Sequence, residues 1–258
     1  MSRQKRPENY GKPWTREELI LAFELYCRIP FKNTKASNPE VRDLGSLLRR
    51  SAAAVARKLG NFGAFDPELR RRNISGLTHG SRLDRQVWNE FHSDWNGLVF
   101  RAHEIRRTLT RGTGDHDLLD EPSGPSERLA ISKQRIHQSF FRQAVLSSYE
   151  EQCCITGLRV PECLIASHII PWRVNETLRT DPTNGVCLSA TFDRLFDSGL
   201  ITIDTDLRLR VSKSLRDVKR GPAYEIIGRL HNHPIVTPYR FLPDPSHLQW
   251  HLSNVFRP

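Results

Sequence analysis

The sequence predicts an α+β protein in two domains, a mostly helical one over 1–111 and a mixed one over 129–258. Three observations carry this. In the first part, apolar residues recur every three or four positions behind helix-capping residues. After residue 150, short apolar runs alternate with turns, a strand-rich pattern. Between them, 112–128 is built from Gly, Pro, Ser and acidic residues without a hydrophobic period, the composition of an exposed linker. With 258 residues, 38% of them hydrophobic, the chain can bury two ordinary cores.

The N-terminal elements follow from their caps. Thr15 and Glu18 form a capping box, each able to satisfy a free amide at a helix start. Leu19, Phe23, Tyr26 and Cys27 then share a face until Pro30 ends the pattern. A second helix is expected from Asn38-Pro39-Glu40, with Val41, Leu44 and Leu48 inward. A third follows Ser51 as N-cap, with Val55, Leu59 and Phe62 inward. Only Arg49-Arg50-Ser51 separates them, which suggests a helix-turn-helix. Arg49, Arg50, Ala53, Arg57, Lys58 and Asn61 are therefore candidate DNA contacts: small residues admit a groove, and Arg or Asn can reach base edges. This stretch bears a weak resemblance to Myb-like three-helix DNA-binding units. Residues 63–110 extend the domain, with a further helix near 84–91, and carry no assigned chemistry.

Charge supports a polyanion partner. Residues 1–112 hold 22 Lys/Arg against 12 Asp/Glu, whereas the rest holds 17 of each, so the whole net charge of +10 lies in the first part. Basic surfaces bind nucleic acid by releasing its counterions. No apolar run is long enough to span a membrane, and the N-terminus lacks the apolar stretch of a secretory signal. Five cysteines, without a repeated C-x-x-C, argue against a disulfide scaffold or a structural zinc site. The expectation is a reduced, cytoplasmic protein without a membrane role.

In the C-terminal domain a helix is expected over 133–149, then a strand-like run at 153–157. A buried strand over 164–170 stops at Pro171, and a second strand over 186–188 follows the Asn184-Gly185 turn. A helix over 190–197 ends at Ser198-Gly199. The runs 200–203 and 207–211 read as a supporting hairpin, His231 and His233 as an exposed loop, and Trp250 and His251 as part of a packing helix. His168, Asn184, Asp193 and Asp197 are the polar residues on the strand-loop-strand-helix unit. The two aspartates are four apart and share a helix face. An imidazole beside carboxylates supplies a base and a site for a hard cation, the parts needed for metal-assisted phosphodiester hydrolysis.

Cys154-Ile-Thr-Gly-Leu-Arg-Val-Pro, Ala166-Ser-His-Ile-Ile-Pro-Trp172 and Asn184-Gly-Val-Cys-Leu-Ser-Ala-Thr-Phe-Asp-Arg-Leu-Phe-Asp-Ser-Gly199 resemble, in this order, the HNH endonucleases of the ββα-metal fold. Bacterial restriction-type members are particularly similar. The resemblance implies that His168 is the general base and that Asn184 braces the loop orienting it. It implies that Asp193, with Asp197 as a second candidate, holds one Mg²⁺ or Mn²⁺. Arg173 and Arg194 flank the motif as candidate phosphate contacts. Two features depart from the family pattern. Ser167 stands where an acid or histidine ligand commonly precedes the base, so one metal ligand is missing or is replaced by Ser167, water or another side chain. Phe192 and Asp193 stand where relatives often carry a third histidine.

The combined expectation is a double-stranded-DNA endonuclease, restriction-type and open to modification dependence, acting as a homodimer on a palindromic site. The alternatives are a DNA-binding regulator with a degenerate HNH fold, kept open by Ser167 and Phe192, and an RNA-directed nuclease.

Overall fold

The computed structural model describes residues 6–74, 76–77, 80–111, 125–218 and 221–258, with side chains left out at 111 and 125–133. The fold is α+β, in two compact units, Met1–Phe140 and Phe141–Pro258. Of the expected acidic linker, 112–124 lies outside the described residues. Its last four positions, 125–128, belong to a helix, and the two units divide after Phe140 inside that same helix.

The first unit is helical: α1 (Arg16–Arg28), α2 (Pro39–Leu47), α3 (Ala52–Gly63), α4 (Pro67–Arg71), α5 (Arg82–Phe91) and α6 (Trp95–Arg111). The capping box is present, with the Glu18 amide donating to Thr15 Oγ1 and the Thr15 amide to Glu18 Oε2. Asn38 and Ser51 cap α2 and α3 as their residue types dictate. Phe23 anchors the core, its ring 5.0 Å from Phe62 and 5.2 Å from Trp88. The turn from α2 to α3 is tight. Arg49 adopts a left-handed φ of 53°, and a Cβ at Gly45 would lie 3.0 Å from the Arg50 carbonyl oxygen.

The second unit begins in α7 (Pro125–Ser148), whose start precedes the expected one by eight residues. Next come β1 (Leu164–His168), β2 (Gly185–Ser189) and α8 (Ala190–Asp197), the expected strand-loop-strand-helix order. β1 and β2 are antiparallel, with His168 opposite Gly185 and Leu164 opposite Ser189. A second hairpin, β3 (Ile201–Ile203) and β4 (Leu209–Val211), follows α8, and three helices complete the unit: α9 (Lys213–Arg216), α10 (Pro222–Arg229) and α11 (Pro245–Asn254). The expected run at 153–157 forms turns, not a strand, although the Cys154 amide does reach the Cys187 carbonyl at 2.7 Å. Cys153, Cys154 and Cys187 lie in the core with Phe141, Tyr149, Leu188, Phe192 and Phe196. Burial pushes the Cys187 thiol up to about 12, so it behaves there as a small protonated hydrophobe. Among the described residues, no helix is long and apolar enough to cross a membrane.

Candidate active site

β1 ends in His168, and the chain leaves the strand through Ile169 and Ile170 before Pro171. The segment that returns to β2 carries Arg179, whose carbonyl oxygen lies 3.1 Å from His168 Nε2. A carbonyl can only accept, so Nε2 holds the ring proton in the neutral imidazole and Nδ1 keeps its lone pair. Burial holds the imidazole below its usual range, against the opposing pull of the Arg179 bond, which favours the neutral form at pH 7. Phe141 of α7 stacks on the ring at 3.7 Å with planes 7° apart, which fixes the tilt of the imidazole. Gly185 makes room for that stack: a Cβ there would collide with Val145 and press on the Phe141 ring.

Asn184 is fully buried and locks the turn beside the histidine. Its Oδ1 accepts from the Ile170 amide at 2.8 Å, and its Nδ2 donates to the Ile170 carbonyl at 2.9 Å. The Ile169 amide also donates to the Asn184 carbonyl at 2.9 Å. Three bonds thus tie the two residues after His168 to the residue before β2.

On α8, Phe192 and Phe196 face the core and Asp193 and Asp197 occupy the neighbouring stripe. Partial desolvation, and then the Asp193 carboxylate, push the Asp197 carboxyl above its usual range, while Arg194 and Arg173 pull it back. These four groups therefore share one electrostatic neighbourhood. Ser167 is buried, and among the described residues its Oγ has no hydrogen-bond partner. Because β1 pairs with β2, which runs directly into α8, this orphaned hydroxyl and the carboxylates belong to one small substructure.

Residues 153–204, which span both strands and α8, match the family model described as HNH endonuclease. The likeness to HNH endonucleases thus covers the strand-loop-strand-helix segment. No curated protein matches the chain. Phe192, where HNH relatives often carry histidine, is part of the hydrophobic core and serves packing here.

HNH nucleases generally use a divalent ion. Among the described residues no three His, Cys, Asp or Glu side chains converge into a metal-binding group. A hard cation asks for less: Mg²⁺ is commonly bound through one or two carboxylates, with waters and substrate phosphates completing the shell. The Asp193/Asp197 pair on one stripe of α8 supplies carboxylates of the kind that such an ion asks for.

The expected DNA contacts of the first unit divide sharply. Arg50 is buried and faces inward, with Nε and Nη2 each 2.8 Å from a Glu18 oxygen. Its remaining donors serve the carbonyls of Asn9, Lys12 and Pro13, and Trp14 covers it at 4.5 Å. Lys58 donates to both oxygens of the fully buried Asp84 at 2.9 and 3.0 Å, and Asn61 donates to the same carboxylate at 3.1 Å. Arg50, just before α3, is thus engaged by Glu18 of α1 and the N-terminal segment, while Lys58 and Asn61 on α3 are engaged by Asp84 of α5. Ala53 and Arg57 are exposed, as is Arg49, which pairs with Glu8 at 2.6 Å. Arg179 and Phe141 are the residues that sequence reasoning missed. Neither belongs to the histidine, asparagine and aspartate pattern, and only the way the chain folds back brings them to His168.

Proposed function

We propose that the protein is a metal-dependent DNA endonuclease of restriction type, with His168 as general base. The observation that carries this is the bond from His168 Nε2 to the Arg179 carbonyl, which leaves Nδ1 as the basic atom of a neutral, stacked imidazole. Such a group can take a proton from water as the water attacks phosphorus. Asn184 holds the following turn and so keeps the base in register. Asp193 and Asp197, with Ser167, would hold Mg²⁺ or Mn²⁺. When bound, such an ion supplies positive charge that steadies the phosphorane-like transition state and the leaving oxygen. Arg173 and Arg194, whose charges act on the Asp197 carboxyl, would steady phosphates beside it.

The first unit would find the site, with Arg57, Ala53 and Arg49 as its exposed contacts. One HNH domain cuts one strand, so a double-strand break calls for two copies, in line with a homodimer on a palindromic sequence. A DNA-binding regulator without catalysis is the second reading, supported by the serine at 167 and the core-packed Phe192.

Supercoiled plasmid from methylating and non-methylating hosts, incubated with Mg²⁺ or Mn²⁺, separates the two. The nuclease reading expects nicked or linear product from the wild type and at least a hundredfold loss in His168→Ala, as for removal of a general base. Intact plasmid with both proteins, together with retained gel retardation, would establish the regulator.

A further inference from the structure

Arg179 offers the neighbourhood of His168 more than its carbonyl. Its guanidinium lies 4.8 Å from the centroid of the Trp172 ring, and that indole is 43% exposed. Stacking on an aromatic face fixes the plane of a guanidinium and leaves its edge donors directed outward. Among the described residues only Nη2 has an acceptor, Glu176 Oε1 at 2.7 Å, while Nε is buried without a partner. The Glu176 side chain is 76% exposed, so this i,i+3 pair is well solvated and readily exchanged. The side chain thus combines a fixed position, a replaceable counter-ion and a spare Nη1 donor, on the same residue whose carbonyl orients the base.

We propose that Arg179, stacked on Trp172, grips a backbone phosphate of DNA beside the scissile bond, and that Glu176 is the counter-ion released when it does so. The inference deepens the nuclease reading and rests on it for the identity of the ligand. A phosphate offers two charge-assisted bonds to a guanidinium edge where Glu176 now supplies one. The loop is then a load sensor of modest kind: the residue that contacts the phosphate also presents the carbonyl that sets the tautomer of His168. Arg179 is a substrate-binding residue by its guanidinium and a positioning residue by its backbone.

The two side chains make opposite predictions, which a purely structural ion pair would not. Full-length protein is titrated with a fluorescein-labelled, mixed-sequence DNA duplex in chelator, at several salt concentrations, with hydrolysis blocked. Arg179→Met is expected to weaken binding and to lower the slope of log K against log salt by about one. Arg179→Lys is expected to retain that slope. Glu176→Gln, a change on an exposed side chain, is expected to tighten binding about two- to fivefold, as removal of a solvated competitor should. Unchanged or weaker binding by Glu176→Gln, or an unchanged slope in Arg179→Met, would overturn the proposal. Failure of the nuclease reading looks different: the wild type would cut nothing with either metal while these binding shifts persisted.

Discussion

Two imidazoles in the second unit are held face-on by phenylalanines, and they are held for different ends. His168 lies against Phe141 at 3.7 Å with one nitrogen in the chain-return loop. His251, almost fully buried, lies against Phe196 at 3.8 Å, and its Nδ1 meets Thr202 Oγ1 at 2.8 Å. Burial pulls His251 down to about 4, with a hydrogen bond that the ring donates to the Phe196 backbone carbonyl opposing. In the unfolded chain the same group titrates near 6.5. Between these values the unfolded chain binds the extra proton, so folding stability is full above pH 6.5 and falls as the pH drops toward 4. The loss over that window is on the order of 3 kcal/mol. Urea unfolding from pH 7 to pH 4 should therefore show a falling midpoint in the wild type and a flatter profile in His251→Gln. Equal slopes would assign the acid sensitivity to other groups. At this scale the sequence pointed to His168 and Asn184 through the motifs that resemble HNH endonucleases. It was silent about Phe141 and Arg179, whose value comes from where the fold brings an ordinary side chain or a backbone carbonyl.

Elements were legible where their signals are local. The caps at Thr15, Asn38 and Ser51, and the helix over Ala190–Asp197, follow from residue types within one turn. The run at 153–157 was misread because apolar content alone does not distinguish a strand from a buried turn. The outward face of α3 was misread for a related reason: Lys58 and Asn61 are polar, but their partner, Asp84, is more than twenty residues away. That carboxylate also accepts from the Ser81 amide at 2.8 Å, so it caps α5 while fastening α3 to it. Asp84→Ala would strand a lysine and an amide at a closed helix junction. The expected result is a loss of roughly 3–5 kcal/mol, seen as a lower midpoint in chemical denaturation of the first unit's transition. A shift below 1 kcal/mol would mean that water replaces the carboxylate readily. The hairpin of the site has its own requirement. Gly185→Ala would drive a methyl into Val145 and the Phe141 ring, with an overpacking penalty of about 1–3 kcal/mol and a displaced imidazole stack. In NMR spectra, the ring-current shift that Phe141 imposes on the His168 ring protons should shrink in this variant, and its persistence would show that α7 yields without disturbing the stack.

At the scale of the whole molecule, charge is segregated along the chain, with the entire +10 excess in residues 1–112. Yet a raw count overstates the basic surface. Arg28 and Arg106 both engage Glu24, Arg50 is enclosed by Glu18, and Lys58 is committed to Asp84. What remains for a polyanion is the set of exposed side chains, and on α3 that set centres on Arg57, one turn after exposed Ala53. Substitutions one position apart should therefore fail in opposite ways. Arg57→Ala should leave the melting temperature unchanged, weaken duplex binding across sequences and reduce its salt slope by about one, as removal of a phosphate contact does. Lys58→Ala should lower the melting temperature because Asp84 loses its cation, while the salt slope of the folded protein stays near that of the wild type. Measuring both quantities on both variants assigns the α3 surface. An unaltered slope in Arg57→Ala would move the DNA to another face of the first unit, and a reduced slope in Lys58→Ala would show that its amine leaves Asp84 for phosphate when DNA binds.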